Sequence, residues 1–412
     1  MAGKKAHERA QSGEAWQDYC QTLLTAGAMI DSFDDEVTEL DRAEWYRFLS
    51  RLMRNGAERF MENCEPLRPR LRETPWRQSI NFQSPDQDHL LAEFIDGSQD
   101  YIINGQRGDI RYFVLASWSA PMPVDAGAQN WAAQGEAGLE KFNPAGLRTT
   151  GFLKSDNIRM DEEGRFEIIV SRNDPGEGHN WLPIEDDCVG LLVRNVYDQT
   201  YDQRGGVTPP QFDIRLKNQP APEPLSLGDV SSNLARAGQT VLAYAALVRH
   251  WWQQTLSQTP NTIIFSREVY LSTGGVPDRH HGFGRWACAP DEALVIDFTP
   301  GACSHWIFQL CNMWQENLDN YEEGDGYIQQ DSAVYDAEGG VRMVVAHRNP
   351  QVTENFVGCY GHQHGGMSLR LINPELLPPS VTVYRVKLAE LERQGLDCLQ
   401  QVTPLVSGTL SD

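Results

Sequence analysis

Six of the ten histidines in this chain fall between positions 280 and 364, as His280, His281, His305, His347, His362 and His364. Imidazole has an unperturbed pKa of about 6.5, so a local excess of it marks a place where protons can be taken up and returned near neutral pH. The densest spot is Tyr360-Gly-His-Gln-His-Gly-Gly-Met. On an extended backbone His362 and His364 would point to one face, roughly 6.5–7 Å apart. With His347 they form a candidate catalytic trio for general acid–base chemistry. They are equally a candidate ligand set for one divalent metal ion with an open position. A second candidate is the run Arg279-His280-His281-Gly282-Phe283-Gly284-Arg285-Trp286. Its composition is that of a mobile loop bordering a pocket, with glycine hinges and arginines able to pair with a carboxylate or sulfate. Arg279, His280, His281, Arg285 and Trp286, together with His305 and Tyr360, are the candidate substrate-binding residues.

Absences narrow the chemistry. The chain has no Gly-x-x-x-x-Gly-Lys-Ser/Thr loop, no His-Glu-x-x-His, no Gly-x-Ser-x-Gly elbow and no Gly-x-Gly-x-x-Gly turn opening a helix. The expected cofactor is therefore none or one divalent metal. Elimination, hydration, hydrolysis or isomerisation of a largely apolar small molecule is expected ahead of nucleotide-dependent redox chemistry. Eleven tryptophans supply the competing expectation, a carbohydrate-directed or other small-molecule-binding β-sandwich without catalysis.

Charge and cysteine usage set the surroundings. Lys plus Arg is 35 and Asp plus Glu is 57, a formal charge of −22. That excess argues against nucleic acid and against anionic membranes as partners. No apolar run follows Lys4-Lys5, no stretch reaches about 18 apolar residues, and the eight cysteines contain no Cys-x-x-Cys. A cytoplasmic protein with reduced thiols and a small-molecule ligand is expected, with homo-oligomerisation through its helices an open option.

The elements that must position these groups follow from periodicity. Residues 1–65 read as helical: Trp45, Phe48, Leu49, Leu52, Phe60 and Met61 recur at spacings of three and four. From 66 to 217 short apolar runs alternate with turn residues, as in a first β unit. The proline-rich stretch 218–225 reads as a linker and 226–258 as a second helical segment. Residues 259–412 read as a second β unit ending in a helix over 386–394 and bearing the site. Sliding the chain by 175 positions lays Gly151–Pro175 on Gly326–Pro350 with identical pairs at 151/326, 156/331, 161/336, 163/338, 164/339, 170/345 and 175/350. Asn180/Asn355 continues the match, and Arg194 meets Arg370 with one residue inserted. Repeated positions such as Asp156/Asp331 and Arg194/Arg370 read as structural. Each repeat is expected to be a β-hairpin turned at Asp-x-Glu-Gly. The first unit, poor in histidine, is expected to be mainly structural. The fold class is thus mainly β with helices: two antiparallel sandwiches related by internal duplication, each with associated helices.

The stretch Asn173-Asp-Pro-Gly-Glu-Gly-His-Asn-Trp-Leu-Pro resembles the signature of a bacterial domain of unknown function, number 1214, often paired with number 1254. Val345-Ala-His-Arg-Asn-Pro and Gly361-His resemble a variant of it, with Asn349 where Asp is usual and Asn355-Phe-Val in place of Asn-Trp-Leu. The resemblance implies a jelly-roll-like β-sandwich and carries no reaction.

Overall fold

The computed structural model describes residues 2–33, 37–63, 65, 67–74, 84–119, 148–198, 201–221, 223–256, 259–272, 275–318 and 324–407. Three helices open the chain: α1 (Ala2–Ser12), α2 (Glu14–Ala28) and α3 (Glu39–Ala57), the last running on into a π turn over Glu58–Glu62. A capping box starts α3. Thr38 accepts from the Asp41 amide, and the Asp41 carboxylate accepts from the Thr38 amide. The expected apolar face of α3 is buried, with Trp45, Phe48, Leu49 and Leu52 packed on the long helix α4 (Leu227–Leu256) and on Met313 and Trp314.

The first β unit comprises β1 (Arg72–Thr74), β2 (Gln87–Glu93), β3 (Tyr101–Gln106), β4 (Tyr112–Ser119), β5 (Arg148–Lys154), β6 (Arg165–Ser171), β7 (Asn180–Pro183), β8 (Cys188–Val196) and β9 (Gln211–Leu216). After α4 come β10 (Ile264–Phe265) and the short helix α5 (Arg267–Ser272). The second unit continues with β11 (Arg279–Ala287), β12 (Glu292–Phe298), β13 (His305–Leu310), β14 (Tyr327–Gln329), β15 (Val341–Ala346), β16 (Phe356–Gly358), β17 (His364–Ile372) and β18 (Val381–Lys387). Helix α6 (Leu388–Gln394) and strand β19 (Leu405–Ser407) close the described chain.

The two units repeat one strand order. The first stacks the sheet β1-β2-β8-β4-β5 on β7-β6-β3-β9, and the second stacks β10-β11-β17-β13-β14 on β16-β15-β12-β18-β19. Each strand of the first unit thus has a counterpart nine numbers later, and β19 is an extra edge strand. Between the stacked sheets lie two apolar cores, one around Phe113, Phe166 and Ile168 and the other around Trp286, Trp306 and Phe308.

Two local expectations are corrected. The Asp-x-Glu-Gly turns do form, with the Asp161 and Asp336 carboxylates accepting from amides ahead of them and Gly164 and Gly339 at φ of 77° and 80°. Beyond a local closure, which at the second turn is the single antiparallel bridge Tyr335–Val341, they do not join paired strands, because β5 and β6 belong to different sheets, as do β14 and β15. The turns are corners that carry the chain from one sheet to the other. The run 279–286 is likewise no hinged loop but the interior strand β11, paired with β10 and β17. Gly284 is there for packing: a Cβ on it would lie 1.9 Å from the Thr262 carbonyl oxygen.

Candidate functional site

The expected trio is divided among separate structural tasks. His362 sits in the turn before β17, buried, with Nε2 donating to Glu44 Oε2 at 2.9 Å and Nδ1 facing the Cys359 carbonyl at 3.1 Å. His364 opens β17 and bonds Asp41 Oδ2 at 3.2 Å, its ring 5.6 Å from that of Trp252. Asp41 and Glu44 lie one turn apart on α3, so the two imidazoles do share a direction, but it leads to a helix and not to a pocket. Glu44 also receives Arg47 at 2.8 Å and Asn312 at 2.9 Å, while Glu316 is paired with Arg51 at 2.6 Å. His347 bonds the Cys288 carbonyl at 3.0 Å. Among the described residues no three or more His, Cys, Asp or Glu side chains form a group that could hold a metal ion. The proposed ligand set His347, His362 and His364 does not assemble because two of its members are committed to α3.

Burial resists charging of His362, but the hydrogen bond and negative charge of Glu44 outweigh it and raise its pKa. Both ring nitrogens face oxygen acceptors, as an imidazolium requires. Burial also opposes the charge on Asp41, yet the bonds from His364 and Thr38 keep its pKa low. For Glu316 burial prevails over Arg51 and pushes the carboxyl up to about 7.

The other candidates separate by strand alternation. On β11, Arg279, His281, Phe283 and Arg285 face away from the second unit's core, and the fully buried Trp286 faces into it with its indole N–H on the Cys311 carbonyl. Trp286 is therefore a core residue and not a ligand contact. His280 points to the opposite side from His281 and bonds the Leu376 carbonyl at 3.0 Å. Tyr360 is exposed in a turn with φ of 45°. Most tryptophans are spoken for: Trp45, Trp286, Trp306 and Trp314 are fully buried, and among the described residues only Trp16 is a strongly exposed one.

The outer face of β11 and β17 meets the outer face of β2, β8 and β4, and this seam between the two units gathers what the sequence scattered. In register His89 pairs with Arg194 on β2 and β8, and His281 pairs with Arg370 on β11 and β17. The same His–Arg pair thus occurs at equivalent places in both units. The flanking contacts are exchanged across the seam in the same way. Asp86, just before β2, bonds His305 of the second unit at 2.5 Å, while Asp278, just before β11, accepts from the Tyr112 hydroxyl of the first at 3.0 Å. Arg279 lies between, donating to Asp278 at 2.9 Å and to the Tyr112 oxygen at 2.9 Å. Gln329 adds a bond to the Asp198 carbonyl, and Tyr112, Val114, Val196 and Ile372 form a small apolar patch alongside.

Buried polar atoms without a hydrogen-bond partner collect here: Asp86 Oδ1, Gln87 Nε2, His89 Nε2, Arg194 Nη1, His305 Nδ1 and Gln329 Oε1. The electrostatics mark one connected cluster. Burial, and then the charges of Arg194, Arg279 and Arg370, drive His89 well below the usual imidazole range. Burial and the same three arginines, Arg370 foremost, do this to His281. Both rings are therefore neutral at pH 7. Burial also lowers Arg194, and it pushes Arg370 down to about 10. His281 Nε2 is 3.0 Å from the Ser368 hydroxyl, which has no exposure and so orients the ring. Sequence reasoning found His281, Arg279 and His305, discounted Arg194 and Arg370, and missed His89, Tyr112 and Asp278. The available signal was the 176-residue spacing of the two arginines, read as structural when it also marked a shared face.

Residues 93–199 match the model of a family described as a protein of unknown function, DUF1214. That stretch contains Tyr112, Arg194 and Asn180. Asn180 acts as a clip, holding the Arg159 amide and carbonyl and the Glu167 carbonyl, as Asn355 holds those of Val334 and the carbonyl of Arg342. Over its length the chain is similar to the crystal structure of an uncharacterized protein from Burkholderia cenocepacia. The two are 29% identical, with 93% of this chain and 100% of that one covered and a TM-score of 0.81. It also matches a structure from Vibrio parahaemolyticus at 11% identity, covering 88% of this chain and 98% of that one, with a TM-score of 0.44. Among the described residues no helix is long and apolar enough to cross a membrane.

Proposed function

We propose that this protein binds a small organic molecule at the seam between its β units and acts on it by histidine-assisted acid–base chemistry, of lyase, hydrolase or isomerase type. The observation that carries this is the pair of part-buried imidazoles, His89 and His281, at equivalent places on the two facing sheets and set among polar atoms that the fold leaves unanswered. A neutral imidazole keeps a lone pair for a proton, and the partnerless Nε2 of His89 is where it would be taken up, with an anionic ligand offsetting the nearby arginine charges that weaken the ring as a base. The site moves from the expected trio to residues drawn from both units. The matching strand orders and His–Arg pairs support reading the chain as two diverged copies of one jelly-roll-like unit, with the site on their common face. A cytoplasmic setting belongs to the same proposal, in keeping with the seven described cysteines, all free thiols.

The test is a turnover screen of small ester, hydroxy-acid and enol substrates, followed by His89→Gln and His281→Gln. Each variant is expected to lower kcat by roughly 100- to 10,000-fold. His362→Gln should lower stability and leave kcat of the folded protein intact. Unchanged turnover in both seam variants would overturn the proposal.

A further inference from the structure

We infer that the molecule received at the seam carries an oxyanion, a carboxylate, sulfonate or phosphate group on an apolar body, and that Arg194 is the residue that receives it. This rests on the seam being the binding site. Arg279 has its own counter-charge in Asp278, at 2.9 Å. Arg194 sits on β8 facing the seam with Nη1 buried, and no hydrogen bond or ion pair to it exists among the described residues. The residue as a whole is part-buried, but a cationic N–H turned inward without an acceptor is disfavoured, and an anion at that place would answer it. In a chain of formal charge −22, a cluster of three arginines, Arg279 and Arg370 buried and Arg194 part-buried, runs against the overall charge and would draw an anion by local chemistry. Arginine's planar fork suits a two-oxygen acceptor better than a neutral hydroxyl.

The rest of the ligand is indicated by what continues along the same face. Beyond His281 the face carries Phe283. Tyr270 stands edge-on to His281 at 5.3 Å and Trp251 edge-on to Phe283 at 5.7 Å. Trp251 Nε1 and Arg285 Nε are buried without partners at that end. The anion end would meet Arg194 and the apolar body would lie toward Phe283 and Trp251, with His281 between them.

The experiment uses the full chain and matched probes: benzoate, benzenesulfonate and phenyl phosphate against neutral benzamide and benzyl alcohol. Affinity is read by calorimetry, and each bound probe is located by crystallography. The anionic probes should bind at the seam, and Arg194→Met should weaken them by roughly 10- to 150-fold while leaving the neutral probes unchanged. Arg194→Lys should restore part of the loss and keeps the test meaningful if the Met variant folds poorly. Neutral probes binding at the seam as tightly as the anions, or anions indifferent to Arg194→Met, would overturn the anion inference and leave the seam as a binding site. If no probe of either kind occupies the seam, both readings fall.

Discussion

Two buried polar clusters occupy this molecule, and they differ in whether their charges are answered. At the junction of α3 with the second unit, Asp41, Glu44, Glu316, His362 and His364 each have a partner, and those partners lie on the neighbouring element. At the seam between the units, His89 and Arg194 face each other's strands with atoms left over. Full pairing is what a fold needs in order to hold a helix down. Incomplete pairing costs stability, and its concentration in one place is how a site distinguishes itself from a scaffold. Histidine density in the sequence pointed to the first cluster. The difference in pairing is what leads us to propose the second as the ligand site.

The comparison can be broken most forcefully at Glu44. Glu44→Ala removes the carboxylate shared by His362, Arg47 and Asn312, and removing one partner of a buried pair costs about 3–5 kcal/mol. Chemical denaturation should show a loss of that order, with ligand binding preserved in the folded fraction. A small loss would mean that the junction is not the clamp described.

The next largest effect is pH dependence at the same junction. The Glu316 carboxyl is raised to about 7 in the fold from an ordinary value of 4.5, so its contribution is fully present below the unfolded value and lost as pH rises through about 7. The difference corresponds to about 3 kcal/mol. His362, also raised, loses its contribution in the same direction. Asp41, lowered, contributes above its unfolded value and loses that contribution in acid. Melting temperature followed from pH 5 to 9 should therefore fall from pH 5 through about 7 and then level off, and Glu316→Gln should flatten that fall. A flat wild-type profile would contradict the assignment. The smallest effect belongs to His347, which makes a single bond to the Cys288 carbonyl: His347→Ala should cost about 1 kcal/mol and leave binding and turnover intact.

Much of the scaffold was legible from periodicity and repetition. The apolar spacing of Trp45, Phe48, Leu49 and Leu52 located α3, and the 175-residue offset anticipated two matching strand orders. The Asp-x-Glu-Gly turns were foreseen, but their role as corners was not, because a turn signal does not say which sheet receives the next strand. The 279–286 run misled for a related reason. Glycines that allow β10 to approach β11 have the same composition as hinge glycines. The seam was least legible of all. His89 and Arg194 lie far from His281 and Arg370 in sequence, and a pairing created by docking two units leaves no local pattern.

Arg194 is the residue on which anion binding at the seam depends. The most direct measurement is the melting temperature of wild-type and Arg194→Met protein, each with and without benzoate. If the inward Nη1 of Arg194 awaits an anion, replacing the residue with an apolar side chain of similar length should leave the ligand-free protein at least as stable as wild type. The benzoate-induced rise expected of wild type should be absent from the variant. An Arg194→Met protein that melts well below wild type, yet gains as much from benzoate, would show that Arg194 is structural and would contradict its role as the anion receiver.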